Sequence, residues 1–109
     1  MRYLMTARNT ETTPAPDEKL FIEMAAFVEE MTAAGILLAT GGLAPNGVRL
    51  VSRGDELTVT DGPFAEAKEA VAGFALVEVN SEEEAIELAR RFRRIVGDGE
   101  SIVQQVFGP

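Results

Sequence analysis

The apolar positions of this chain change period several times, and each change marks an element. Residues 2–7 alternate, with Tyr3, Met5 and Ala7 on one side and Arg2, Leu4 and Thr6 on the other. That two-residue period predicts a strand. A polar, proline-containing connector follows. Over residues 18–34, Leu20, Phe21, Met24, Phe27, Val28 and Met31 then recur at helical intervals, which predicts an amphipathic helix. Asp17 stands where an N-cap belongs, and Gly35 stands where a glycine ends a helix in the left-handed conformation. The run ILLATGGL, residues 36–43, predicts a buried strand, and Pro45, Asn46 and Gly47 predict a turn.

The second half repeats the alternation of periods. Residues 49–60 predict a hairpin with Gly54 and Asp55 at its tip. Its register sets Leu50 opposite Val59 and Ser52 opposite Leu57, so one face of the ribbon is mostly apolar. The Arg53-Gly54-Asp55 triplet is read as that turn, not as an adhesion motif. Residues 70–79 predict another strand. Ser81 with Glu84 three positions later is a capping box, and Ala85, Ile86, Leu88, Ala89, Phe92 and Ile95 supply the buried stripe of a second helix. Glu87 lies within one turn of Arg90 and Arg91. Residues 101–107 predict a last strand.

Without the hairpin the order is strand, helix, strand, strand, helix, strand. This predicts a single α+β domain over residues 1–109, a ferredoxin-like split βαβ sandwich with an inserted β-hairpin and two helices on one face of an antiparallel sheet. In the strand at 70–79, Phe74 and Leu76 point one way while Ala75, Val77 and Val79 point the other. Both faces of the sheet therefore need cover. With two helices available for one face, a second copy of the chain is expected on the other, as a homodimer.

Charge and composition then narrow the chemistry. Ten Lys and Arg against 18 Asp and Glu give a net charge of −8, which repels a phosphate backbone and argues against a nucleic-acid partner. The cluster Arg90, Arg91, Arg93 and Arg94 is read as the favourable end of a helix dipole. No apolar run approaches the ~20 residues of a membrane span, and the start lacks a secretory h-region, so a cytoplasmic protein is expected. Cys and His are both absent. That removes disulfides, thiolate nucleophiles, Ser-His-Asp triads and zinc sites with nitrogen or sulfur ligands. Neither a P-loop nor a dinucleotide fingerprint occurs around Gly41 and Gly42, which are read instead as a bulge or a close backbone approach. No metal and no cofactor is expected, and acid–base work would fall to carboxylates, Lys or Tyr.

The stretch DGPFAEAKE, residues 61–69, concentrates what candidates remain. Asp61 can accept backbone N–H groups across a turn, Pro63 suits the first position of a helical turn, and Phe64 can anchor the corner. Read chemically, Asp61 is a candidate catalytic base, with Lys68 or Tyr3 as the electrostatic stabiliser. Tyr3, Asp61, Phe64 and Glu66 form a candidate ligand-binding set. For Tyr3, the only tyrosine, a packed core ring is the competing role. Both readings stay open on the residues alone.

The string VTDGPFAEAKE, followed by AGFALVEVNSEEEAIELARR and the closing IVQQVF, resembles the DGPF-domain branch of the YCII-related proteins. YLM near the start and GILLATGGLAP extend the resemblance over nearly the whole chain. It implies a dimeric α/β barrel with a cleft at the subunit interface, and an unknown small molecule is expected to bind there. Most members have no established activity. Some relatives are lyase- or isomerase-like enzymes on small cyclic substrates, using a His with an Asp. This chain lacks the His, so only the carboxylate, with Asp61 as its counterpart, carries over. Some DGPF proteins are encoded beside extracytoplasmic-function sigma factors, which implies an accessory regulatory role.

Overall fold

A computed structural model describes residues 1–62 and 71–108. The elements are β1 (Arg2–Arg8), α1 (Glu18–Ala33), β2 (Leu37–Gly42), β3 (Val48–Arg53), β4 (Glu56–Asp61), β5 (Val71–Glu78), α2 (Glu82–Val96) and β6 (Glu100–Val106). Four strands form one antiparallel sheet in the order β2-β5-β1-β6, and β3 pairs with β4 in a separate two-stranded ribbon. The arrangement is compatible with a ferredoxin-like α+β fold.

Local chemistry explains where the helices begin and end. The Asp17 carboxylate accepts the Leu20 N–H at 2.8 Å, satisfying one of the orphan donors at the start of α1. At the other end, Gly35 takes φ +75°. Its N–H reaches the Thr32 carbonyl at 3.1 Å while the Ile36 N–H reaches Met31 at 3.0 Å, which is the Schellman arrangement. For α2, the Ser81 hydroxyl accepts the Glu84 N–H at 3.2 Å. The returning Glu84 carboxylate takes the N–H of Asn80 at 2.7 Å, one residue before the position a strict capping box would use.

The sheet is two-sided as the alternation requires. Tyr3, Val77 and Val79 are buried against Met31 of α1 and Ala85 and Leu88 of α2, with Met5, Leu37 and Val103 packed beside them. Tyr3 pairs with Val77 on one side and with Gln105 on the other, which puts it on a central strand. The next positions in register, Leu4 with Leu76 and Thr6 with Phe74, occupy the opposite face. There Ile102 is 40% and Val106 41% exposed.

Two expectations need correction. β2 is an edge strand, not a buried one: its partner among the described strands is β5, and Leu38 is 47% exposed. A continuous apolar run is consistent with burial but does not decide a strand's place in the sheet. Phe21, one of the apolar residues at helical spacing in α1, is 64% exposed although it lies on the inner side of the helix with Leu20 and Met24. Of the glycine pair in β2, Gly41 is a close approach, whereas a Cβ on Gly42 would meet an ordinary contact at 3.8 Å. A Cβ on Gly41 would stand 3.3 Å from the Phe74 ring, and one on Gly73 would stand 3.1 Å from the Gly41 carbonyl oxygen.

Candidate functional site

The sequence-derived candidates do not come together as one site among the described residues. Asp61 is exposed at the last position of β4, where it pairs with Val48. The Gly62 N–H continues that ladder to the Gly47 carbonyl at 2.9 Å. Phe64, Glu66 and Lys68 lie outside the described residues. Tyr3 is 2% exposed, inside the core. Burial pushes its hydroxyl above the ordinary phenol value, and the negative charges of Glu82 and Glu83 push it the same way.

A different place in the fold has the shape of a binding site. Between α1 and the covered face of the sheet lies a cavity of about 600 Å³, within the range of small-molecule pockets. Its roof is Leu20, Met24, Phe27 and Met31 of α1. Met5, Ala75 and Val77 make the floor, and Leu88 and Phe92 of α2 close one side. Gly41, Gly42 and Gly73 line it near the end of β2, where the absence of side chains leaves room.

The cavity exists because α1 stands off the sheet. Met31 is the one buried residue of α1 among those described, although the helix is 16 residues long. Long side chains project inward from it, while Ala25 and Ala26 face outward and are exposed. Met31 anchors α1 in the core, with Phe27 packed beside it, and a surface tie links α1 to α2. Arg91 extends from α2 to the Glu30 carboxylate at 2.7 Å, and its guanidinium lies 4.8 Å from the centre of the Phe27 ring. The hydrogen bond from Arg91 is the main reason the Glu30 carboxyl sits below its ordinary value. Sequence spacing pairs Glu87 with Arg90 and Arg91. In the structure Glu87 meets Arg90 at 3.2 Å and Arg94 at 3.7 Å, and Arg91 crosses to the neighbouring helix instead.

The remaining arginine of the cluster works locally. Arg93 donates to the Gly97 carbonyl and the Ser101 hydroxyl, each at 3.3 Å, and burial lowers its pKa from the ordinary value. All four arginines are thus engaged within the chain, consistent with a structural role at the end of α2.

The cavity's chemistry is apolar. Among the described residues no charged side chain lines it. Of its three hydroxyl residues, Thr40 donates to the Phe74 carbonyl at 2.9 Å, Ser101 accepts from Arg93, and Thr6 belongs by register to the opposite face of the sheet. Such a lining favours a neutral, hydrocarbon-rich guest, because a charge entering it would lose its hydration without a counter-charge. Three of the four methionines, Met5, Met24 and Met31, lie on its wall. Their flexible thioethers adapt to irregular shapes. A periodicity count reads these residues as plain core. The usable signal in the sequence is that α1 carries bulky residues at its inner positions and alanines outside.

Among the described residues no helix is long and apolar enough to cross a membrane, and no cluster of acidic residues could hold a metal ion. Comparison with known proteins agrees with the fold. The chain is 32% identical over 97 residues to an uncharacterised protein of Rhizobium meliloti (strain 1021), an alignment covering 83% of this chain and 78% of that protein. Residues 1–104 match the YCII-related domain. The chain therefore belongs to the YCII-related family.

Proposed function

We propose that this protein is a small-molecule binder that takes up a neutral, largely hydrocarbon ligand in the cavity beneath α1. The observation that carries this is a cavity of about 600 Å³, lined by apolar side chains, with the hydroxyls of Thr40 and Ser101 already engaged in hydrogen bonds. The site lies on the helix-covered face of the sheet. This differs from a cleft at a subunit interface, the place that the DGPF resemblance implies. The open face, with Leu4, Phe74, Leu76, Ile102 and Val106, is assigned to contact with a second copy of the chain. A binder of this kind suits the accessory regulatory setting beside an extracytoplasmic-function sigma factor that the same resemblance implies. No observation favours the alternative, a lyase or isomerase with Asp61 as acid–base group. Asp61 is exposed and is not among the residues that line the cavity.

The methionines provide the test. With ¹³C-methyl-labelled methionine, titration with a neutral medium-chain alcohol or naphthalene should shift Met5, Met24 and Met31. Met1, which does not line the cavity, serves as the internal control. Saturable shifts confined to those three support the reading. No shift, or equal drift of all four, would show that the cavity takes no such ligand.

A further inference from the structure

Among the described residues, the β3–β4 ribbon neither lines the cavity nor pairs with the main sheet. Its strands pair only with each other among the described residues, and every residue from Val48 to Arg53 and from Glu56 to Asp61 is exposed. It also expands the molecule. The radius of gyration is 15.9 Å, against about 13 Å for a compact chain of this length. The register puts Val48, Leu50, Leu57 and Val59 on one face, each 57–60% exposed. Ser52 and, at the root, Asp61 complete that face. Arg49, Val51, Arg53, Glu56, Thr58 and Thr60 make the other. The ribbon is therefore amphipathic, with an apolar side that its own chain leaves uncovered. A lone two-stranded hairpin is marginal in water, and a stripe of this kind marks a contact surface.

We infer that the β3–β4 ribbon is an arm whose apolar stripe lies across a second copy of this chain. The inference rests on the reading above that the open sheet face meets that second copy. Area is the reason for choosing a second copy as the occupant. Four strands of about six residues present on the order of 400 Å² per sheet face, so two faces together bury about 800 Å². That is in the range of incidental contacts, whereas a stable dimer needs about 1,600 Å². Each ribbon face adds about 200 Å². Two arms, each laid on the other subunit, bury about 800 Å² more and bring the total to the required size. Charge points the same way. Two chains of net charge −8 repel at long range, so association needs surfaces that carry few charges. The open sheet face has its charged pairs at its two ends, Arg2 with Glu78 at one and Arg8 with Glu100 at the other, and the stripe has only Asp61, at its root. One two-fold operation covers both surfaces at once.

The experiment uses the full chain. Sedimentation of wild type should show a monomer–dimer equilibrium, and Leu50→Glu with Val59→Glu should weaken it by at least about tenfold, since a buried carboxylate would lack a partner. Both positions are exposed within one chain, so circular dichroism and thermal melting of the variant monomer should match wild type. As a second measurement, amide exchange of residues 48–61 in wild type should slow as concentration rises through the dimer range. If the arm variant dimerises like wild type while Leu76→Glu on the sheet face does not, the arm inference falls and the sheet dimer stands. Dimers unaffected by either change, or a monomer at every concentration, would overturn both. Fast arm exchange in the dimer, or protection that persists on dilution to monomer, would overturn the arm alone.

Discussion

The two helices are nearly equal in length, both amphipathic and both capped by a side chain, yet they meet the sheet differently. α2 buries Ala85, Leu88 and Ala89; α1 buries Met31. Placement of the small residues accounts for the difference. On α2, two alanines one turn apart face inward, and Ala85 is fully buried, so the backbone comes close to the strands. On α1, the alanines at positions 25 and 26 face outward, and methionine, leucine and phenylalanine keep the helix at a distance. A small side chain lets a helix approach, and a long flexible one can reach across a gap without filling it. One helix thus makes the core, and the other roofs a cavity.

Substitutions can break or sharpen this contrast. The largest effect belongs to α2: Leu88→Ala should cost about 3 kcal/mol in denaturant unfolding. Met24→Ala on α1 should cost less than about 1 kcal/mol, because that side chain is only half-buried, whereas Leu88 is buried. Equal losses at the two sites would mean that α1 packs as tightly as α2. Next is a pair of identical enlargements of opposite sign. Ala85→Leu should destabilise by about 2 kcal/mol through overpacking. Ala75→Leu, on the cavity floor, should stabilise by about 1 kcal/mol and abolish the methionine shifts on ligand titration. A destabilised Ala75→Leu that still binds would count against the cavity.

The caps should bring the helices level. Asp17→Ala and Ser81→Ala should each lower stability by about 1 kcal/mol, seen as similar displacements of the urea midpoint with an unchanged slope. The smallest effect concerns the tie between the helices. The Glu30 carboxyl is held below its ordinary value of 4.5, chiefly by the Arg91 hydrogen bond. A carboxylate with a depressed folded pKa contributes stability above its unfolded pKa and loses it as pH falls through the folded value. Wild type should therefore lose stability below about pH 4.5 more steeply than Glu30→Gln. Superimposable acid limbs would mean that the bridge has no thermodynamic weight.

Much of the architecture was legible in the residues because the signals are local. Asp17, Gly35 and Ser81 act within four residues of themselves, and the pairing of Leu50 with Val59 follows from the two-residue turn at the ribbon's tip. The alternation around Phe74 and Ala75 gave the two-sided sheet. The position of β2 did not follow, because the same apolar run fits an edge or a centre. Nor did the partner of Arg91: the helical spacing that offers Glu87 competes with a carboxylate on another helix, which spacing does not register. Of the candidate site, Asp61 is exposed at the root of the arm and Tyr3 is in the core, while Phe64, Glu66 and Lys68 lie outside the described residues.

Read alone, the sequence determined the order of elements, their caps, the register of the hairpin and the chemistries that a chain without Cys or His cannot perform. These depend on backbone conformations and side-chain types within a few residues of one another. Only the tertiary structure decided that α1 stands away from the sheet, that Arg91 ties the helices together and that the hairpin leaves its apolar face uncovered. Those outcomes depend on distances between segments far apart in the chain, where the sizes of facing side chains, summed over a whole contact, set how closely two surfaces can come.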